Sequence, residues 1–139
     1  MIYYILSVFL FVSTLHATEY EKIENVVIDH QNKLMWQDNV EVTEYLETFV
    51  SAEVYCETTI LNGYIDWRVP TINEVIRIID VKNKDSIVKE FENIQPQTYR
   101  TNTVLSQTPQ MNWGVDFKMG KIVLVEKNAK NYIRCVRDI

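Results

Sequence analysis

Residues 63–74 read Gly63-Tyr64-Ile65-Asp66-Trp67-Arg68-Val69-Pro70-Thr71-Ile72-Asn73-Glu74, and the fold turns on them. The chain has only three glycines, three tryptophans and three prolines, and one of each falls here. Thr71 to Glu74 is a capping box: the Thr71 hydroxyl serves the Glu74 amide while the Glu74 carboxylate reaches back. Pro70 holds Val69 extended, so a helix starts after it and not before. Trp67 reads as a core plug between two helices and a sheet. In an extended segment Asp66 and Arg68 point away from Trp67 and toward the same side, where they can pair with each other. A sugar clamp built from Asp66, Trp67 and Arg68 is the functional alternative. The structural reading is favoured.

Upstream of this block, Thr48 caps a first helix whose apolar stripe is Phe49, Ala52, Cys56 and Ile60. Asn62-Gly63 is expected to end it, with Gly63 in the left-handed conformation. Earlier still, Val26–Ile28 and Lys33–Trp36 flank a polar turn, the pattern of a hairpin, with His30 at its surface. Downstream, Ile72, Val75, Ile76 and Ile79 form the buried face of the second helix. From Thr98 the period changes to that of strands. Trp113, Val115 and Phe117 alternate with polar or small residues. Met119-Gly120 turns the chain into Lys121–Val125, whose apolar run suggests a central strand. Asn131–Arg137 is the last strand, with Ile133 and Cys135 on one face. Two helices early and an antiparallel sheet late make an α+β domain.

Residues 1–17, MIYYILSVFLFVSTLHA, hold no acid, Lys or Arg. Their apolar run falls short of the roughly 20 residues that span a bilayer and ends in Leu15-His16-Ala17. They read as a signal peptide cleaved after Ala17, with an uncleaved anchor as the competing reading. Residues 18–139 then form a single domain, periplasmic or secreted. In an oxidising compartment Cys56 and Cys135 are expected to bridge.

The net charge of −5 is unevenly placed. Residues 18–66 carry eleven acids against Lys22 and Lys33, whereas residues 111–139 carry six bases against three acids. An acidic chain is a poor nucleic-acid partner, so none is expected. Two cysteines and His30 fit no zinc spacing, and neither cofactor nor metal is expected. No Ser-His-Asp set, HExxH or Gly-rich phosphate loop is present, so no catalytic residue is assigned.

Five blocks in order resemble the DUF1566 family, also called the Lcl C-terminal domain. Leu34-Met35-Trp36-Gln37-Asp38 resembles its "LMWQ" strand, and Thr48–Cys56 its "TWeeAieYC" helix, with Phe49 where tryptophan is usual. Gly63–Glu74 resembles "GYsDWRLPTinEL". Trp113–Gly120 resembles the "aWyvdFsdG" hairpin, and Tyr132–Arg137 the terminal "yvRCVR". The likeness runs from about Val26 to Arg137. It implies a C-type lectin-like fold, two helices packed on a mostly antiparallel sheet with one disulfide from first helix to last strand. Trp36, Gly63, Asp66, Trp67, Arg68, Pro70 and Glu74 carry the structural motif.

The family's "yWSST" stretch is replaced here by Thr98–Thr103, so Gln97–Asn112 is expected to be the variable surface. Tyr99, Arg100, Asn102 and Trp113 are the expected ligand contacts. The resemblance implies a non-catalytic binding module, recognising a glycan in an adhesin-like role. Arg100 and the C-terminal lysines favour an anionic glycan. A protein-interaction subunit of the envelope is the alternative, and an envelope hydrolase a third reading.

Overall fold

The computed structural model describes residues 19–139; the leader and its cleavage point lie outside them. In chain order the elements are β1 (Tyr20–Ile23), β2 (Val26–Asp29), β3 (Leu34–Gln37), β4 (Leu46–Glu47), α1 (Phe49–Thr58), α2 (Ile72–Ile76), β5 (Thr98–Val104), β6 (Met111–Asp116), β7 (Lys121–Glu126), β8 (Asn131–Tyr132) and β9 (Val136–Asp138). They form two sheets, β1-β2-β3-β9 and β4-β8-β5-β6-β7. Every pairing is antiparallel except β5 with β8. The result is an α+β domain with one disulfide, Cys56–Cys135. Among the described residues no helix is long and apolar enough to cross a membrane.

Both helices start at the expected caps. Thr48 Oγ1 accepts from the Ser51 amide and Ser51 Oγ from the Thr48 amide. Thr71 and Glu74 exchange the same pair of bonds at 3.2 and 2.8 Å. The ends differ from expectation. α1 stops at Thr58, where the Thr58 and Thr59 hydroxyls donate to the carbonyls of Val54 and Tyr55. Gly63 therefore does not cap α1. With Asn62 (φ 50°) it forms, at φ 80°, a two-residue turn that bridges Leu61 to Tyr64. Two consecutive positive φ values are what an Asn-Gly turn supplies at little steric cost. Ile60, expected on the buried stripe, is 74% exposed. α2 is a little over one turn long, so the buried phase passes from Val75 to Ile78 and leaves Ile76 exposed.

Two strand expectations are corrected. β7 is not central: it is the edge of its sheet, and its run of apolar side chains is half covered. The C-terminal segment is not one strand. Asn131–Tyr132 pairs in the second sheet and Val136–Asp138 in the first, joined by the buried residues Ile133, Arg134 and Cys135. Packing of two sheets decides this, and a local pattern does not report it.

The core has two parts. Trp36, Val42, Val75, Ile78, Phe91, Tyr99, Val115 and Phe117 lie in one cluster. Trp67 lies in the other, among Val26, Met35, Ala52, Val69, Ile133 and the disulfide. At 2% exposure it has no face left for a ligand, and its indole N–H donates to Tyr64 O. Gly120 sits where a larger residue would not fit. At φ 66° an added Cβ would lie 2.7 Å from Val81 Cγ1 and 2.9 Å from Ser86 Cβ. The β6–β7 turn is thus pressed against the loop leading to β5.

Candidate functional site

The polar residues of the 63–74 block are engaged in holding three chain segments together. Arg68 forms a two-pronged pair with Glu74, both bonds 2.8 Å, and a further bond of 3.0 Å to Asp138. Its backbone also exchanges two hydrogen bonds with Val136. Such planar, forked pairing fixes geometry as well as charge. Asp66 and Arg68 do not pair with each other. Asp66 instead accepts from Arg137 at 2.6 and 3.1 Å, and the Arg137 guanidinium lies 3.8 Å over the Tyr64 ring. Asp66 takes its partner from β9, whereas Arg68 is held first by Glu74 of α2 and then by Asp138 of β9.

A second knot surrounds Asp38, whose side chain is fully buried. It accepts from Lys22 Nζ, from Arg134 Nη1 at 3.1 Å, and from the amides of Glu92 and Asn93 at 2.9 and 3.0 Å. Arg134 also donates to the carbonyls of Gln37 and Asn93 and packs 4.8 Å over the Phe91 ring. Burial alone would raise the Asp38 pKa, but Arg134, Lys22 and the two amides outweigh it and hold the carboxyl below its usual range. Glu74 shows the same balance, with burial opposed by Arg68 and the Thr71 amide. Asp66 is likewise held low, chiefly by its bond from Arg137.

These shifts set a sign for stability against pH. A carboxyl whose pKa is lower folded than unfolded stabilises the fold above the unfolded value, and that contribution is lost as pH falls through the carboxylate range. The melting temperature is therefore expected to be level from neutrality to about pH 5 and to fall steeply below about pH 4. In Asp38→Asn the loss below pH 4 should be shallower, from a lower starting stability. Differential scanning calorimetry across this range tests it; parallel curves for the two proteins would refute the assignment.

Two of the four expected contact residues are corrected. Arg100 is 1% exposed and Tyr99 is 2% exposed, so neither reaches a surface ligand. Arg100 donates to Asn112 Oδ1 and to the carbonyls of Glu126 and Ala129, with no carboxylate partner among the described residues. Burial pushes its pKa down to about 10. The Tyr99 hydroxyl donates to Val42 O at 2.6 Å, and its ring stacks on Tyr132. Arginine on a strand reads as surface from sequence; here it staples the β7–β8 turn to β5, a use its carbonyl partners reveal only in three dimensions. Trp113 is half-buried on β6, opposite Leu124 of β7.

Asn102 is exposed, and it is the one that lines a cleft. Its backbone amide donates to Pro70 O at 2.9 Å, and Thr103 Oγ1 accepts from the Ile72 amide at 3.0 Å. β5 is thus moored to the 63–74 block. The cleft, of about 190 Å³, is walled by Glu53 and Glu57 of α1, Arg68, Val69 and Asn102. Glu53 and Glu57 stand one turn apart on the helix and so share a face. The disulfide fixes that wall from the other side, through Cys56 on α1. Their spacing was visible in the sequence, but nothing there set them beside Asn102. A second concavity of about 330 Å³ lies along the loop before β5, among Asn83, Lys84, Asp85, Phe91, Glu92 and Ile94. Asp85 and Ser86 both take positive φ there, at 58° and 51°.

Asn112 and Asp116, the oxygen-bearing pair on β6, are engaged within the protein. Asn112 bonds Arg100 and Thr101 O, and Asp116 Oδ1 accepts from the Lys118 amide. Among the described residues no group of three acids, histidines or cysteines converges on a metal position.

No curated protein matches the chain. Residues 25–137 match the Lcl C-terminal domain, and with the five sequence blocks folded into one α+β unit across that span, the chain belongs to this family.

Proposed function

We propose that the chain is an exported, non-catalytic binding domain that recognises a glycan at the envelope or cell exterior, through the cleft beside the 63–74 block. The observation that carries this reading is the set of residues that wall the cleft: Glu53, Glu57, Arg68 and Asn102, with the largely buried Val69 among them. Such donors and acceptors suit sugar hydroxyls. The non-catalytic reading is supported by membership in the Lcl C-terminal domain family. The disulfide supports an oxidising compartment, periplasmic or secreted.

The charge of the cleft favours a neutral, hydroxyl-rich glycan over an acidic one. Arg68 is already shared by Glu74 and Asp138, which leaves Glu53 and Glu57 to set the sign. Arg100, which with the C-terminal lysines was the reason for expecting an anionic ligand, is buried. A glycan-array screen at low and near-physiological salt is the test. Binding to neutral glycans that persists at the higher salt is expected, since screening weakens charge-driven contacts far more. A folded, oxidised protein that binds no glycan would refute the reading.

A protein partner is the second reading. It is supported by Val50 and Val54, 68% and 54% exposed on the outer face of α1, and by Ile60 and Ile65 at 74% and 71%. Apolar residues on both sides of one helix exceed what its own core needs.

A further inference from the structure

Where the two sheets meet α2, the core encloses a cavity of about 10 Å³, room for a single small guest. Trp36 of β3, Arg100 of β5 and Arg134 of the segment joining β8 to β9 stand on its walls, beside Val75, Ile78 and Phe117. The three polar residues are at most 3% exposed. Each keeps one N–H without an acceptor among the described residues: Trp36 Nε1, Arg100 Nε and Arg134 Nε. Buried donors are paired as a rule, so three orphans on the walls of one cavity ask for a common acceptor.

Charge points the same way. Arg100 has only Asn112 Oδ1 and two carbonyls as partners, and Arg134 shares the Asp38 carboxylate with Lys22. Three cations are thus set against one fully buried carboxylate, and a buried charge left uncompensated is costly. A water suits the set poorly, because it must donate as well as accept. On these walls Pro70 O, Tyr99 Oη and Ile78 O already accept from the amides of Asn102, Gln95 and Val88.

We propose that the three N–H groups converge on one monatomic anion, chloride, held in the core between Trp36, Arg100 and Arg134. Chloride only accepts, and it brings the negative charge that Arg100 lacks. It offsets the cost of burial that pulls the Arg100 pKa down. The cavity is too small for sulfate or phosphate. Its walls come from both sheets and from the segment that crosses between them, so the ion ties the two halves of the core together.

Urea unfolding of the oxidised chain at constant ionic strength, with gluconate exchanged for chloride, tests the site. A ligand bound by the folded state alone raises the folding equilibrium constant in step with its own concentration once the site is filled. That constant is expected to rise up to tenfold per tenfold chloride, about 1.4 kcal/mol. Trp36→Phe keeps an aromatic ring and drops one donor, so its chloride dependence should be weaker. Crystals of native protein refolded in bromide should show an anomalous peak inside the cavity, within hydrogen-bond reach of Trp36 Nε1, Arg100 Nε and Arg134 Nε. Equal urea midpoints in chloride and gluconate would overturn the proposal, as would a chloride effect undiminished in Trp36→Phe. So would a cavity that takes up no bromide, whether dry or holding water.

Discussion

Reduction of Cys56–Cys135, or Cys56→Ala, is expected to lower the unfolding free energy by about 4.5 kcal/mol. The two cysteines are 79 residues apart, so the bridge closes most of the domain into one loop. In the chain-entropy account, a loop of that length is costly to close without the covalent link. The native side adds to this, because the bridge is the direct link between α1 and the buried segment joining the two sheets. Both cysteines are fully buried beside Trp67, Ala52 and Ile133. Reduced thiols would stay in an apolar site but release the helix. A protein of typical stability, about 5–15 kcal/mol, would keep little margin. Denaturant midpoints with and without reductant measure the effect; coincident midpoints would refute it.

Trp67→Ala is the second large change, with an expected cost of about 3–5 kcal/mol. The indole fills the space enclosed by α1, β2, β3 and the disulfide, and the rigid backbone on either side limits collapse into the void. Arg68 is bonded to Val136 through its backbone, and Pro70 O holds the Asn102 amide. The lost bond from the indole N–H to Tyr64 O adds a smaller amount. The variant is expected to lose its near-ultraviolet dichroism and cooperative melt, whereas Trp67→Phe, which retains most of the volume, should keep both. A cooperative Trp67→Ala melt within about 1 kcal/mol of the native protein would contradict this role for Trp67.

Local signals in the sequence corresponded closely to local structure. Thr48 and Thr71 announce helix starts because a hydroxyl beside free amides acts within one turn. The hairpin of β2 and β3 follows from two apolar runs around a polar turn. Trp67 reads as core because a large apolar ring must be covered. What required the third dimension was every choice among distant partners. Asp66 and Arg68 looked like a pair until β9 brought Arg137 to the first and α2 set Glu74 against the second. Lys121–Val125 looked central because an apolar run does not say on which side a neighbour strand lies. Arg100 looked like a contact because nothing local distinguishes a surface arginine from one ringed by carbonyls. The cleft escaped notice for the same reason: its walls come from α1, the 63–74 block and β5.

The central claim is that the 63–74 block builds the domain and that ligand is held next to it, at Asn102 and the α1 glutamates. The most direct measurement titrates a neutral glycan from the array into native protein, Asn102→Ala and Asp66→Ala, with a thermal melt of each. Asn102→Ala is expected to bind about tenfold more weakly, about 1.4 kcal/mol, with an unchanged melt, as suits an exposed side chain that donates one hydrogen bond. Asp66→Ala is expected to bind like the native protein, because its carboxylate is engaged with Arg137 outside the cleft. Native affinity in Asn102→Ala together with lost binding in a well-folded Asp66→Ala would place the ligand on the block itself and contradict the claim.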